Sequence, residues 1–339
     1  MPDSFFYKIV PLEQSFLDSD KPYGSFAALA KKKDMLTTKL LARLSSPRKC
    51  LCVDYDALLP SLTFVPGIPH SIYQTTKAKD KLPPAIEENI EKLKTTNPDW
   101  SYQLFDDHDI EHFILRYYGD PLLSYYNRIA PGYGAAKADF FRYLLIYQFG
   151  GVYLDIKSTA TKPLSETVRK NDSYLLSYWN NLPGCGHEGY GHYSLIPGYI
   201  ERGEIIQWYI AAAPGHPLLR EVIKAMLRKM DRYNPYTDGV GWTGTVSTTG
   251  PVMYTKTCYD ALQGAPSIFP VRWLDIIEDA GFRYSVFDDK QGENPQSPSH
   301  TKILPADYRK NSHPLLIHQS PVIQKINEAY FSLLARTHR

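Results

Sequence analysis

The chain has 339 residues, 43% hydrophobic and 22% charged, with a formal net charge of +2. This is the composition of a globular protein rather than a disordered one, and its near-neutral balance gives no electrostatic reason to expect a nucleic-acid partner. The length is ample for a large core and is compatible with a single α/β domain. The start, Met1-Pro2-Asp3-Ser4, has no basic segment leading into an apolar run, so no signal peptide is expected. No stretch approaches the roughly 18 apolar residues of a membrane span. Cys50, Cys52, Cys185 and Cys258 are therefore expected to be free thiols in a reducing, cytoplasmic setting.

In chain order, Ser25 to Leu44 reads as a helix, with Leu36, Leu40, Leu41 and Leu44 on one side and Lys31, Lys32, Lys33, Lys39 and Arg43 elsewhere. A basic amphipathic helix can make peripheral contact with an anionic membrane, but more often it packs on the protein body. Residues 1–60 are taken as a helical N-terminal extension and 61–339 as the main domain. Phe64 to Gln74 suits a first buried strand, Leu82 to Lys94 a helix, and Trp100 to Phe105 a second strand. Asp106, Asp107 and Asp109 then form an acidic turn around His108; it could bind a metal, but capping the helix Ile110 to Tyr118 is far commoner. This alternation of strand and helix argues for βαβ units and a mostly parallel sheet.

Gly134 to Phe149 is a strong helix pattern stopped by Gly150-Gly151, and Val152 to Lys157 follows as a short strand. Asn180 to Tyr199 is a Gly- and Tyr-rich loop of functional length. Ile205 to Ala213 and His216 to Met230 read as helices. Asp238 to Pro251 reads as a Gly/Thr-rich connection, Asp288 to Thr301 as a polar loop, and Leu315 to His318 as a late strand. Asp139 and Arg142 share a helical face, which alone would mean an ion pair worth roughly 0.3 kcal/mol. On the strand that follows, Tyr153, Asp155 and Lys157 alternate onto one face, with Asp155 and Lys157 at the C-terminal end. Ligand crevices of open α/β sheets lie outside that end.

Ala138-Asp139-Phe140-Phe141-Arg142-Tyr143 followed by Gly150-Gly151-Val152-Tyr153-Leu154-Asp155 resembles the glycosyltransferase sugar-binding region containing the D-x-D motif. That family includes yeast initiating mannosyltransferases and bacterial capsule glycosyltransferases, and is related to the glucosylating clostridial toxins. Ile68-Pro69-His70-Ser71-Ile72-Tyr73-Gln74-Thr75, Asn97-Pro98-Asp99-Trp100, Ala213-Pro214-Gly215-His216-Pro217 and Thr249-Gly250-Pro251 are similar to its other signatures, in order. The resemblance implies a GT-A fold: a Rossmann-like, mixed, mostly parallel sheet flanked by helices. It also implies a retaining transfer from a nucleoside-diphosphate sugar, a UDP- or GDP-sugar, to a glycan, glycolipid or protein acceptor, as in polysaccharide biosynthesis. Asp139 and Arg142 would reach the donor sugar and diphosphate, and Asp155 the sugar and ribose. Tyr73 and Gln74 would border the nucleotide, and Gly250 lies in a later signature.

The second Asp of D-x-D, the usual ligand of Mn²⁺ or Mg²⁺, is Lys157 here. Three readings stay open: Lys157 itself neutralises the diphosphate; Asp155 still recruits a metal, helped by the diphosphate and a residue such as His318; or the protein binds sugars or sugar nucleotides without turnover. Trp242, in the run from Gly239 to Gly244, is a candidate to stack on a sugar ring from a mobile lid. Cys185, His187 and His192 match no standard zinc spacing, and His187 and Glu188 are better taken as acceptor contacts. A hydrolase would need a carboxylate pair or a metal site, and neither is evident.

Overall fold

The computed structural model describes residues 26–45, 53–185, 187–192, 194–276, 281–286, 311–318 and 320–337. The chain divides into two compact units, Met1–Leu44 and Ser45–Arg339. The described part of the first is helical, within α1 (Phe26–Ser45). No helix of the described residues is long and apolar enough to cross a membrane. Cys50, Cys52 and the segment 288–301 lie outside the described residues; Cys185 and Cys258 are free thiols.

The second unit is built on a six-stranded sheet. Its strands are β1 (Ser71–Thr75), β2 (Ser101–Phe105), β3 (Gly151–Leu154), β5 (Tyr174–Leu176), β6 (Tyr209–Ala212) and β7 (Arg272–Trp273), in the order β2-β1-β3-β6-β5-β7. All run the same way except β6, which is antiparallel to both neighbours. A second, two-stranded sheet pairs β4 (Thr159–Ala160) with β8 (Phe282–Arg283). The α/β expectation holds: the sheet is mixed, mostly parallel and flanked by helices. These are α2 (Pro84–Thr96), α3 (Asp107–Asn127), α4 (Gly134–Phe149), the short α5 (Leu164–Thr167), α6 (Pro217–Arg232), α7 (Gly241–Thr248), α8 (Pro251–Gly264) and α9 (Pro321–Thr337).

Helix α4 is the structural centre. Every residue from Asp139 to Tyr147 is buried, so the helix is apolar nearly all round because it is enclosed on all sides. Gly150 and Gly151 turn it directly into β3 with φ of 65° and 98°. A Cβ on Gly150 would lie 2.6 Å from Pro214 Cδ, and one on Gly151 2.8 Å from the Ser71 carbonyl oxygen, so only glycine fits. Period-2 alternation then sorts β3. Tyr153 joins the core beneath α4, α6 and α8, while Val152 and Leu154 face the opposite layer with Ile72 and Leu175.

Five sequence expectations are corrected. Ile205 to Ala213 is not helical; its end forms β6, because a short, fully buried apolar run carries no period to separate a central strand from a helix. The connection 238–251 contains α7, despite its glycines. Strand β3 stops at Leu154 instead of reaching Lys157, and Leu315–His318 forms only a single bridge, Ile129 with Leu316. The helix expected over Ile110–Tyr118 begins earlier, at Asp107, and continues past a kink at Gly119 to Asn127.

Candidate active site

Asp155 follows the last residue of β3, at the C-terminal edge of the parallel strands. Its backbone N–H donates to the Trp208 carbonyl at 2.9 Å, and its own carbonyl accepts from Ser158 N–H at 2.7 Å, closing a tight turn. Gln74 clamps the same turn. Its side-chain amide donates to the Asp155 carbonyl at 3.0 Å and approaches the Ser158 carbonyl at 3.4 Å, while Tyr102 OH donates to Gln74 Oε1 at 2.9 Å. Asn89 adds a bond to the Ser158 carbonyl at 3.0 Å. The Asp155 side chain is 26% exposed, which makes it the accessible carboxylate of the group.

The Arg142 guanidinium lies between the two acids. Nη2 sits 2.7 Å from Asp155 Oδ1 and 3.3 Å from Asp139 Oδ1. Nη1 donates to the Gln207 carbonyl at 2.7 Å and to Gln207 Oε1 at 2.8 Å, and Nε donates to the Ala138 carbonyl at 3.3 Å. Cζ lies 4.6 Å from the centre of the Tyr153 ring. Each guanidinium nitrogen thus faces a protein acceptor, and Arg142 is buried. Burial works against its charge, but Asp155, Tyr153 and Asp139 outweigh that and hold its pKa above the ordinary value.

Asp139 is equally enclosed. Gln207 Nε2 donates to its Oδ1 at 3.1 Å and Thr249 Oγ1 to its Oδ2 at 3.0 Å. Burial pushes its carboxyl up, with Arg142 pulling the other way. Gly250 packs against it: an added Cβ would stand 2.9 Å from Val246 Cα and 3.4 Å from Asp139 Oδ2. The Tyr73 ring underlies Gly151, and its phenol pKa is raised by burial.

The structure therefore brings Asp139, Arg142, Asp155, Gln74 and Gly250 together, with Tyr73 next to them. It also adds Gln207, Thr249, Tyr153 and Tyr102, to which the sequence reading gives no role. Gln207 had one signal, a lone amide inside an apolar run; Thr249 had its place beside Gly250 in a family signature.

Lys157 is not beside Asp155 on a strand face. Because β3 ends at Leu154, Lys157 falls in the turn, where it is buried with Nζ 3.7 Å from the centre of the Tyr284 ring. His318 accepts from Ser320 N–H at 2.9 Å and its own N–H donates to Gln324, so its contacts are with the start of α9. Trp242 is half-buried in the first turn of α7, the helix whose far end carries Thr249 toward Asp139. In the 180–203 loop, His187 packs edge-on against Trp179 at 5.0 Å, and Glu188 accepts from Gly184 N–H at 3.0 Å.

The residues around Asp155 do not fit a divalent metal. The second carboxylate is a lysine, and Oδ1 of the first is taken by Arg142. Among the described residues, the group able to hold a metal is Asp106, His108 and Asp109, after β2. There Asp106 and Asp109 form a reciprocal capping box at the start of α3, and Asp109 pairs with Lys79.

This is a sheet-edge site of the kind that binds ligands in α/β proteins, with one accessible carboxylate held by a buried ionic network. Residues 83–174 match the family described as the glycosyltransferase sugar-binding region containing the DXD motif, which bears out the resemblance in the sequence motifs. The chain is similar to the initiation-specific alpha-1,6-mannosyltransferase of Saccharomyces cerevisiae, 30% identical over 223 residues, covering 57% of this chain and 45% of the relative. Against the protein of the same name from Candida albicans it is 28% identical over 232 residues, 62% and 58% of the two chains. The matches thus span about half the length of these curated relatives. Among solved structures, the PaToxG glycosyltransferase aligns at 15% identity with a TM-score of 0.43, over 71% of this chain and 81% of that one.

Proposed function

We propose that the protein is a glycosyltransferase that moves a sugar, with retention, from a nucleoside-diphosphate sugar to a glycan, glycolipid or protein acceptor. The observation that carries this is Asp155, partly exposed at the C-terminal sheet edge and fixed from behind by Arg142. The match to the sugar-binding family over 83–174 and the mannosyltransferase names of the relatives support it, and favour mannose as the sugar. Asp155 accepts hydrogen bonds from hydroxyls of the donor. Asp139, Arg142 and Gln207 act through it as positioning residues, because their polar atoms face one another. As the bond to the diphosphate breaks, the leaving group needs a fixed counter-charge. With no second carboxylate to hold a metal, Lys157 is the cation of the Asp155 turn left to fill that role; this requires its ammonium to leave the Tyr284 ring when the donor binds, and transfer then proceeds without an added divalent ion.

The test is a thermal-shift titration with GDP-mannose, UDP-mannose and other UDP-sugars, each with Mn²⁺ and with EDTA, followed by a turnover assay. A donor at 100 times its Kd stabilises by about 2.7 kcal/mol. A shift that survives EDTA, with turnover falling about 100-fold or more in Asp155→Asn, is the expected result. No shift with any donor overturns the reading. The loss of the D-x-D carboxylate pair favours one second reading, a sugar-nucleotide-binding module without turnover, which would show the shift and no transfer.

A further inference from the structure

A groove opens on the α8 side of the sheet, beside β7, with a volume of about 450 Å³. Tyr178, Ile205, Tyr259, Gln263, Phe269 and Trp273 are among its lining residues. We propose that it is a binding subsite for neutral sugar rings of an oligosaccharide acceptor. The word acceptor rests on the glycosyltransferase reading above; the binding of saccharide does not.

Four observations carry this. The Tyr178 and Trp273 rings are stacked at 4.7 Å and 4° from parallel, so the indole is held rigidly although Trp273 is 42% exposed. A fixed, exposed aromatic face suits the C–H face of a pyranose, and a large apolar body with a polar edge tolerates its hydroxyls. Second, none of the lining residues is charged. The Arg202 guanidinium packs over the Tyr178 ring at 5.1 Å and is not a lining residue. The groove therefore matches a neutral ligand and presents no lining cation to a diphosphate or an acidic peptide.

Third, one stretch of chain links the groove to the Asp155 network. Ile205 lines it, its N–H held by Thr255 Oγ1 at 2.9 Å, and Gln207 two residues on binds Arg142 and Asp139. Two extended residues span about 7 Å. Fourth, Trp273 ends β7 at the same sheet edge where Asp155 follows β3, three strand gaps away in the order β3-β6-β5-β7. That separation is about 14 Å. It exceeds a single sugar ring and is within reach of a short oligosaccharide, so the groove would hold acceptor units remote from the reacting hydroxyl.

The experiment compares wild type with Trp273→Ala, Trp273→Phe and Gln263→Arg. Gln263 is exposed, so its arginine narrows and charges the groove without disturbing the core. Binding of mannobiose, mannotriose and mannopentaose is measured by titration calorimetry, the GDP-mannose thermal shift is measured alongside, and unfolding curves check each fold. The expected result is binding that tightens from mannobiose to mannopentaose in wild type. It weakens at least tenfold in Trp273→Ala and Gln263→Arg and is largely kept in Trp273→Phe, with the donor shift unchanged throughout. Where transfer is measurable, KM for the longer acceptors rises in Trp273→Ala while kcat holds. Equal oligosaccharide binding in wild type and Trp273→Ala overturns the proposal. So does a wild type that ignores saccharides but binds alkyl-chain detergent through Trp273, which would make the occupant an apolar chain. A wild type with saccharide binding but no shift with GDP-mannose or any other donor of the titration above refutes the glycosyltransferase reading and leaves the groove standing.

Discussion

Replacing Arg142 by methionine, an unbranched side chain that refills most of the space, isolates the charge at the centre of the site. Asp139 is 4% exposed and would lose the cation 3.3 Å away, and the Gln207 carbonyl would lose its donor. Breaking a buried pair by removing one partner costs about 3–5 kcal/mol. The lower end is expected, because the Asp139 carboxyl, already pushed up by burial, can take a proton once the arginine is gone. In a unit of this size that is a fall in Tm of about 5–10 °C. The sign with pH follows. A carboxyl whose folded pKa lies above its unfolded value binds more protons when folded, so stability drops as pH rises through the window between the two. The variant should therefore be hurt more at pH 8 than at pH 5. Adding Asp139→Asn should recover at least about 1 kcal/mol, since it removes the stranded charge. Urea unfolding of the four proteins at both pH values is the assay. A loss below about 1 kcal/mol, or strictly additive single effects, would refute the buried-network argument.

Other outcomes follow from the same geometry. His216 caps α6, accepting from Leu218 N–H at Nδ1 and bonding the Pro270 carbonyl through Nε2, and burial lowers its pKa to about 4. Its share of stability is complete above about pH 6.5 and is lost as pH falls toward 4, amounting to about 2 kcal/mol at pH 5; Tm scans of wild type and His216→Gln should show the acid slope only in the first. Gly151→Ala must place a Cβ 2.8 Å from a backbone oxygen at φ 98°, and should cost at least about 2 kcal/mol by urea unfolding. Tyr102→Phe removes the donor to Gln74 Oε1 and should cost about 1 kcal/mol while loosening the Asp155 turn, visible as faster amide exchange at Ser158.

Helix α4 is legible in the sequence from Gly134 to Phe149 because its long apolar pattern ends on two glycines, and Asp139 and Arg142 come with it. Asp155 is legible through the motif. What the sequence conceals is the direction each group faces. An i,i+3 pair looks like a surface ion pair until burial is known, and only the tertiary structure reveals Arg142 turned toward Gln207. Gln207 escapes because the run around it has no period, so β6 passes for a helix and its amide has no assigned face. Lys157 is misplaced for a simpler reason: continuing the strand pattern past Leu154 puts it next to Asp155, whereas a turn takes over at that point.

The Gly150-Gly151 turn has a kinetic consequence. It joins α4 to β3 with no intervening loop, and the Arg142–Asp155 pair closes the two elements on each other across thirteen positions of chain. Short-range closure carries little loop entropy, so this helix–strand clasp can form before the distant pairings of β6 and β7. The Asp155 carboxylate would then be assembled in the folding nucleus, and the Gln207 side of the network would dock onto it later. Substitutions at Arg142 should slow folding, and those at Gln207 should mainly speed unfolding.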